Sequence, residues 1–127
     1  ALVENETTRD NLIELDAKGI NIAMDDFGVG HSSLIYLRTM PIHTLKIDSS
    51  LSRDVVNQKA SLDIISTIYD LCRLMKIETV VEHVENQEQL QKLTQVGDFL
   101  IQGYLFSRPL PGSDIRKFIQ QYDMAKI

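Results

Sequence analysis

Seven polar residues stand where short apolar runs stop. Asp25 and Asp26 follow Ile20 to Met24. Lys46 and Asp48 close the run Thr44 to Asp48. Glu82 follows Thr79-Val80-Val81, with Glu85 just beyond it, and Gln102 lies near the end of Phe99 to Gly103. Short apolar runs bounded by glycine, proline and polar residues are strand candidates. If those strands are parallel, their C-terminal ends open on one face, where the catalytic groups of barrel enzymes gather. Carboxylates gathered there repel one another and are stable as a set only with cations among them. An oxygen-only donor set without nearby cysteine or histidine suits Mg²⁺ or Mn²⁺ better than Zn²⁺. Hard divalent ions beside a lysine suit phosphate chemistry, in which metals polarise phosphoryl oxygens and activate a water. The pattern therefore predicts a metal-dependent phosphoric ester hydrolase.

Each residue also has a plainer reading. An Asp-Asp pair after a strand is often a loop start or a helix cap. Lys46 alone reads as a solvated or ion-paired lysine. Glu82 and Glu85 alone fit the acidic first turn of a following helix, which the helix dipole favours. His31, His43 and His83 have no mutual spacing that suggests a zinc site. Cys72 lies on the apolar face of its predicted helix and reads as a core residue rather than a nucleophile. What gives the set weight is that its members recur at the same end of successive strands.

The elements that would position them alternate. A first helix is predicted from near Thr7, with Asp10 as capping partner, an apolar stripe around Leu12 and Leu15, and a stop at Gly19. After the first strand, Ser32 or Ser33 would cap a short helix that Pro41 ends. Ser61 to Met75 is the clearest helix, with Ile64, Ile65, Ile68, Leu71, Cys72 and Met75 at the spacing of one buried face. Asn86 with Gln89 forms a capping box for a helix running through Leu93 and stopped at Gly97. Ser113 opens a last helix with Ile115, Phe118, Ile119 and Tyr122 on one side. A helix followed by four strand–helix units is an α/β order, which implies parallel strands joined by right-handed crossovers. Four such units make half of an eight-stranded TIM-type (β/α) barrel; a small open sheet has the same order, but the strand-end polar residues favour the barrel.

Composition narrows the classes. The chain has 127 residues, the length of one domain, with 43% hydrophobic residues and a formal net charge of −5. That apolar content excludes intrinsic disorder. No apolar run approaches the ~20 residues of a membrane span. The acidic balance, without a Lys/Arg cluster, argues against a nucleic-acid duplex as partner. A single cysteine forms no internal disulfide, which points to a reducing compartment.

Four motifs then carry a family resemblance. Asp25-Asp26-Phe27-Gly28-Val29-Gly30-His31-Ser32-Ser33-Leu34 resembles the DDFGTGYSSL stretch of EAL domains, bacterial phosphodiesterases that hydrolyse cyclic di-GMP to linear pGpG. Leu45-Lys46-Ile47-Asp48 resembles the family's LKID, and Val81-Glu82-His83-Val84-Glu85-Asn86 its AEGVET. Gln102-Gly103-Tyr104-Leu105-Phe106-Ser107-Arg108-Pro109-Leu110-Pro111 resembles QGYLFSRPLP almost letter for letter. The resemblance implies metal-ligand roles for Asp25, Asp26 and Glu82, with Glu82 a metal-site or general-base residue. It implies that Lys46 contacts the attacking water, that Glu85 steadies the loop after the aspartate pair, and that Gln102 contacts substrate. Asp48 would be a water-binding or supporting group near the substrate. Gly28 and Gly30 would let the loop approach the site, and the segment from Phe27 to Ser33 would couple dimerisation to catalysis. The cofactors implied are Mg²⁺ or Mn²⁺ in a two-metal site, and the location implied is cytoplasmic.

Departures are visible too. Val29 stands where the family usually has threonine, His83 replaces a glycine beside Glu82, and Val81 replaces an alanine. The namesake Glu-Ala-Leu and the family's upstream asparagine and glutamate are absent, and Glu4 and Glu6 are not at a strand end. Residues 1–127 are thus expected to be the C-terminal portion of a single EAL domain, lacking most ligands of the first metal and inactive alone. Half a barrel has open edges, so it is expected to self-associate as a homodimer, to pair with the missing N-terminal half, or to derive from a cleaved parent. Sensory or GGDEF domains are possible in that parent. The alternative is a non-catalytic EAL-like module that binds cyclic di-GMP or a protein partner.

Overall fold

The computed structural model describes residues 6–27 and 34–122. The element order is α1 (Glu6–Ala17), β1 (Ala23–Phe27), α2 (Ile35–Thr39), β2 (Thr44–Ile47), α3 (Ser49–Ser52), α4 (Lys59–Leu74), β3 (Glu78–Val81), α5 (Gln87–Val96), β4 (Leu100–Ile101) and α6 (Gly112–Gln121). The strands form one parallel sheet in the order β1-β2-β3-β4. Sequential parallel neighbours joined by helices are the repeating unit of a (β/α) barrel. Among the described residues, no helix is long and apolar enough to cross a membrane.

Strand alternation divides the sheet into two faces. Leu45, Ile47 and Val81 are fully buried, and with Phe27 they pack beneath Ile65, Ile68, Cys72, Leu90 and Leu93 of α4 and α5. The opposite face carries Ala23, Asp25, Thr44, Lys46, Glu78, Val80 and Leu100, none of them buried. In a closed barrel that face would be the interior.

The helix signals form as physics suggests. α1 ends in a Schellman motif: Gly19 at φ +81° donates to Asp16 O (2.9 Å), and Ile20 N–H reaches Leu15 O (3.1 Å). The Asn86–Gln89 capping box is present in full. Before Pro41, Met40 turns extended and α2 stops. Cys72 is buried, and burial pushes its thiol pKa up, as befits a core residue.

Several expectations need correction. The first strand starts later than predicted and contains Asp25 and Asp26 rather than stopping before them. The fourth is only Leu100–Ile101. α4 runs from Lys59 to Leu74, and its buried face is narrower than predicted, because Ile64 and Met75 are exposed. Gly97 ends α5 in extended backbone; a side chain there would strike the Tyr69 and Phe99 rings, which meet edge-to-face at 4.9 Å. The one-turn helix α3 has no counterpart among the predicted elements. α1 and α6 bury no residue, so Leu15, Ile115 and Ile119 lie in the open. In chain order α1 precedes the first strand and α6 follows the last. The predicted caps Ser32 and Ser33, together with Gly28, Val29, Gly30 and His31, lie outside the described residues.

Candidate metal and active site

Asp25 and Asp26 are consecutive, and in a regular strand they would point to opposite faces. The ladder prevents this. Met24 pairs with Leu45 and Phe27 with Ile47, so two residues of β1 oppose the single residue Lys46. That is a β-bulge. Asp26 takes φ +56°, a left-handed conformation that aspartate tolerates better than most residues. Its N–H donates to Asp25 Oδ1 at 2.8 Å. The bulge turns both carboxylates toward one point and returns Phe27 to the core, 6% exposed. Carboxylate oxygens of Asp25, Asp26 and Glu82 lie within 4.8 Å of one another.

Glu82 is held at three points. Its N–H extends the ladder to Ile47 O (3.1 Å). Its main-chain carbonyl accepts from Ser52 Oγ at 2.7 Å. Its carboxylate, 8% exposed, takes Lys46 Nζ at 2.9 Å, and the same Nζ lies 3.7 Å from Asp25 Oδ2. The hydrogen bond to Glu82 is the main reason the Lys46 pKa stands above its ordinary 10.5. Three carboxylates against one ammonium leave an acidic excess. An oxygen-only set of that kind fits a hard divalent cation.

The other predicted residues sit at the same end of the sheet but outside that cluster. Asp48 caps α3: its Oδ2 accepts from Ser50 N–H (2.9 Å), and this bond holds its pKa below the usual 3.8. Glu85 is exposed, and its main-chain N–H donates to Gln89 Oε1 at 2.7 Å. The loop it is expected to steady lies outside the described residues. Gln102 follows β4 with an exposed side chain; its N–H donates to Val81 O (2.9 Å) and its carbonyl accepts from Val84 N–H (3.1 Å). Gly103 lies so close to this turn that a Cβ would fall on the Val84 backbone. His83, where the resembled motif has glycine, takes φ +61° and places Nδ1 4.0 Å from Glu82 Oε2.

Sequence reasoning missed Ser52 and the second role of Gln89. Ser52 is wholly buried, and Gln89, 5% exposed, donates through Nε2 to Ser52 O at 3.2 Å. The capping box flags Gln89, but no sequence signal pairs it with a residue 37 positions away.

Comparison with known proteins gives a consistent picture. The family model "EAL domain" matches residues 1–109. Among curated proteins, the cyclic di-GMP phosphodiesterase NbdA of Pseudomonas aeruginosa is 38% identical over 104 residues, 82% of this chain and 13% of that protein. Among solved structures, the EAL domain of Mycobacterium smegmatis DcpA superposes with a TM-score of 0.87 at 33% identity, covering 94% of this chain and 54% of that one. Klebsiella pneumoniae BlrP1, in complex with manganese and cyclic di-GMP, matches with a TM-score of 0.77 at 36% identity, covering 82% of this chain and 26% of that one. The chain thus spans a small part of NbdA and about half of the DcpA domain.

Proposed function

Because this chain belongs to the EAL domain family, we propose that it is the C-terminal portion of a cyclic di-GMP phosphodiesterase domain and carries the acidic half of its metal site. The observation that supports this most is the convergence of Asp25, Asp26 and Glu82 within 4.8 Å, with Lys46 anchored on Glu82. Asp25, Asp26 and Glu82 would hold Mg²⁺ or Mn²⁺. When bound, such ions polarise a phosphodiester and supply an activated water. The chain's own residues do the rest. Lys46 offers a fixed positive charge, at the 2.9 Å it keeps from Glu82, to charge developing on the phosphoryl oxygens. Glu82 fixes Lys46 and is the candidate general base. Asp48, Glu85 and Gln102 rim the same end: Gln102 is the candidate substrate contact, Asp48 a supporting group, and Glu85 a brace for the neighbouring loop. Cyclic di-GMP is the proposed substrate, and the cytoplasm the proposed location.

The exposed apolar residues of α1 and α6 and the uncovered inner sheet face support pairing with a preceding half-barrel or a second copy. A light-scattering mass equal to one compact, stable monomer would count against the second copy. The test of function is cyclic di-GMP hydrolysis with Mg²⁺ or Mn²⁺, followed by chromatography of pGpG. The 127-residue chain alone is expected to give little turnover, and the parent domain robust turnover that Lys46→Met abolishes. Robust turnover by the chain alone would refute the half-site reading. Tight nucleotide binding by the parent without any product would replace phosphodiesterase with a binding module.

A further inference from the structure

The turn Glu82 to Asn86 carries a predicted metal ligand, yet little of it belongs to the sheet ladder. Its His83 adopts a left-handed conformation, uncommon for any residue that carries a side chain. Two buried polar side chains hold the turn from beneath. The Ser52 hydroxyl donates to Glu82 O at 2.7 Å. Gln89 Oε1 accepts from Glu85 N–H (2.7 Å) and Asn86 N–H (3.3 Å), while its Nε2 donates to Ser52 O (3.2 Å). One continuous chain of hydrogen bonds thus ties the first residue of the turn to its fourth and fifth. Its base is α3, the single helical turn that Asp48 caps.

We propose that Ser52, braced by Gln89, is a positioning residue for the metal site. Its side chain bonds the Glu82 carbonyl and its own carbonyl takes Gln89, so its link to Asp25 and Asp26 runs through Glu82. It acts through the Glu82 peptide, whose orientation decides whether the carboxylate meets both Lys46 and the aspartate pair. The inference rests on the reading of Asp25, Asp26 and Glu82 as metal ligands. A core that needed only filling would be served by an apolar residue at 52. A hydroxyl aimed at a ligand's own carbonyl, and an amide satisfied at both ends, are the features of a support that sets direction.

The test compares Ser52→Ala, Ser52→Thr and Ile65→Val in the full chain. Ile65→Val trims a fully buried core side chain outside the turn and serves as the comparator for general destabilisation. Two readouts are taken: amide hydrogen exchange resolved by residue, and Mn²⁺ affinity from loss of the free-ion EPR signal. Ser52→Ala is expected to speed exchange across residues 82–86 and to weaken Mn²⁺ binding about 10-fold. Ile65→Val should do neither, and Ser52→Thr, which keeps the hydroxyl, should restore both. Gln89→Met supplies a second variant, with its exchange effect centred on Glu85 and Asn86. Mn²⁺ affinity in Ser52→Ala equal to that of Ile65→Val would overturn the proposal, whether or not local exchange changes. If the unmodified chain takes up no Mn²⁺, the metal reading itself fails. Exchange then decides alone, and rates in Ser52→Ala matching Ile65→Val over 82–86 would refute the bracing.

Discussion

Lys46→Met isolates the one cation that the described site owns. In the folded chain Nζ is 2.9 Å from a Glu82 carboxylate that is only 8% exposed, and 3.7 Å from Asp25. A hydrogen bond between two charged groups contributes roughly 1.5–3 kcal/mol, and stripping one partner from a fully buried pair costs about 3–5 kcal/mol. Lys46 is 27% exposed, so water screens part of the pair and the lower range applies. We expect Lys46→Met to cost about 2 kcal/mol, a drop of roughly 8 °C in Tm for a chain of this size. Glu82→Gln keeps shape and acceptor but removes the charge, so the double variant should recover about 1–2 kcal/mol of the summed single losses. Urea unfolding with a common m-value gives all four corners of the cycle. The pH course follows from the raised Lys46 pKa. The ion pair contributes fully below the ordinary 10.5 and is lost as pH climbs through the higher folded value. The gap between the wild-type chain and Lys46→Met should therefore hold from neutral pH to 10.5 and narrow above it. A coupling energy under about 0.5 kcal/mol, the size of an ordinary exposed pair, would refute the buried ion-pair argument.

Three further outcomes follow from the same geometry. Mn²⁺ at a hundredfold excess over its Kd should stabilise the chain by about 2.7 kcal/mol, reversed by chelator and absent in Asp25→Ala, as thermal unfolding would show. Gly103→Ala should lower stability by more than 2 kcal/mol, roughly the severe end for single substitutions, because its Cβ meets the Val84 backbone, which cannot rotate away. A urea midpoint unchanged from wild type would contradict this. Lys76 occupies the left-handed position after α4 at φ +59°, with Ile77 N–H reaching Cys72 O at 2.8 Å. Lys76→Gly should raise stability by about 1 kcal/mol by removing the Cβ penalty there.

What the sequence made legible was whatever depends on neighbours in the chain. The α1 stop at Gly19, the Asn86–Gln89 box, the break at Pro41 and the parallel strand order all follow from local chemistry and spacing. The convergence of Asp25, Asp26, Lys46 and Glu82 was legible because parallel strands share one end. Details set across strands were not. Two consecutive aspartates do not reveal a bulge, because a bulge is a count of residues on one strand against those on its neighbour. Ser52 reads as a polar residue of a loop; its burial depends on α3 folding beneath a turn 30 residues later. The stripes of α1 and α6 are apolar, but burial needs a full neighbouring layer, and neither helix buries a residue.

The bulge has an energetic consequence that separates stability from function. Turning Asp25 and Asp26 toward Glu82 gathers three carboxylates within 4.8 Å against a single lysine. Like charges at that spacing repel, though the exposure of both aspartates keeps the cost to a few tenths of a kcal/mol up to about 1 kcal/mol per pair. Asp26 also sits at φ +56°, where asparagine is at least as comfortable as aspartate. Asp26→Asn relieves the repulsion and keeps the backbone. Without divalent ions it should therefore unfold at a urea concentration equal to or above that of the wild-type chain. With Mn²⁺ the order should invert, because the variant has lost one anionic ligand and gains less from the ion. A fold that selected Asp26 for its own stability would show the opposite: loss of stability in the ion-free chain and no crossing on addition of Mn²⁺. The crossing is the signature of a carboxylate kept for its ligand at the expense of the apo fold.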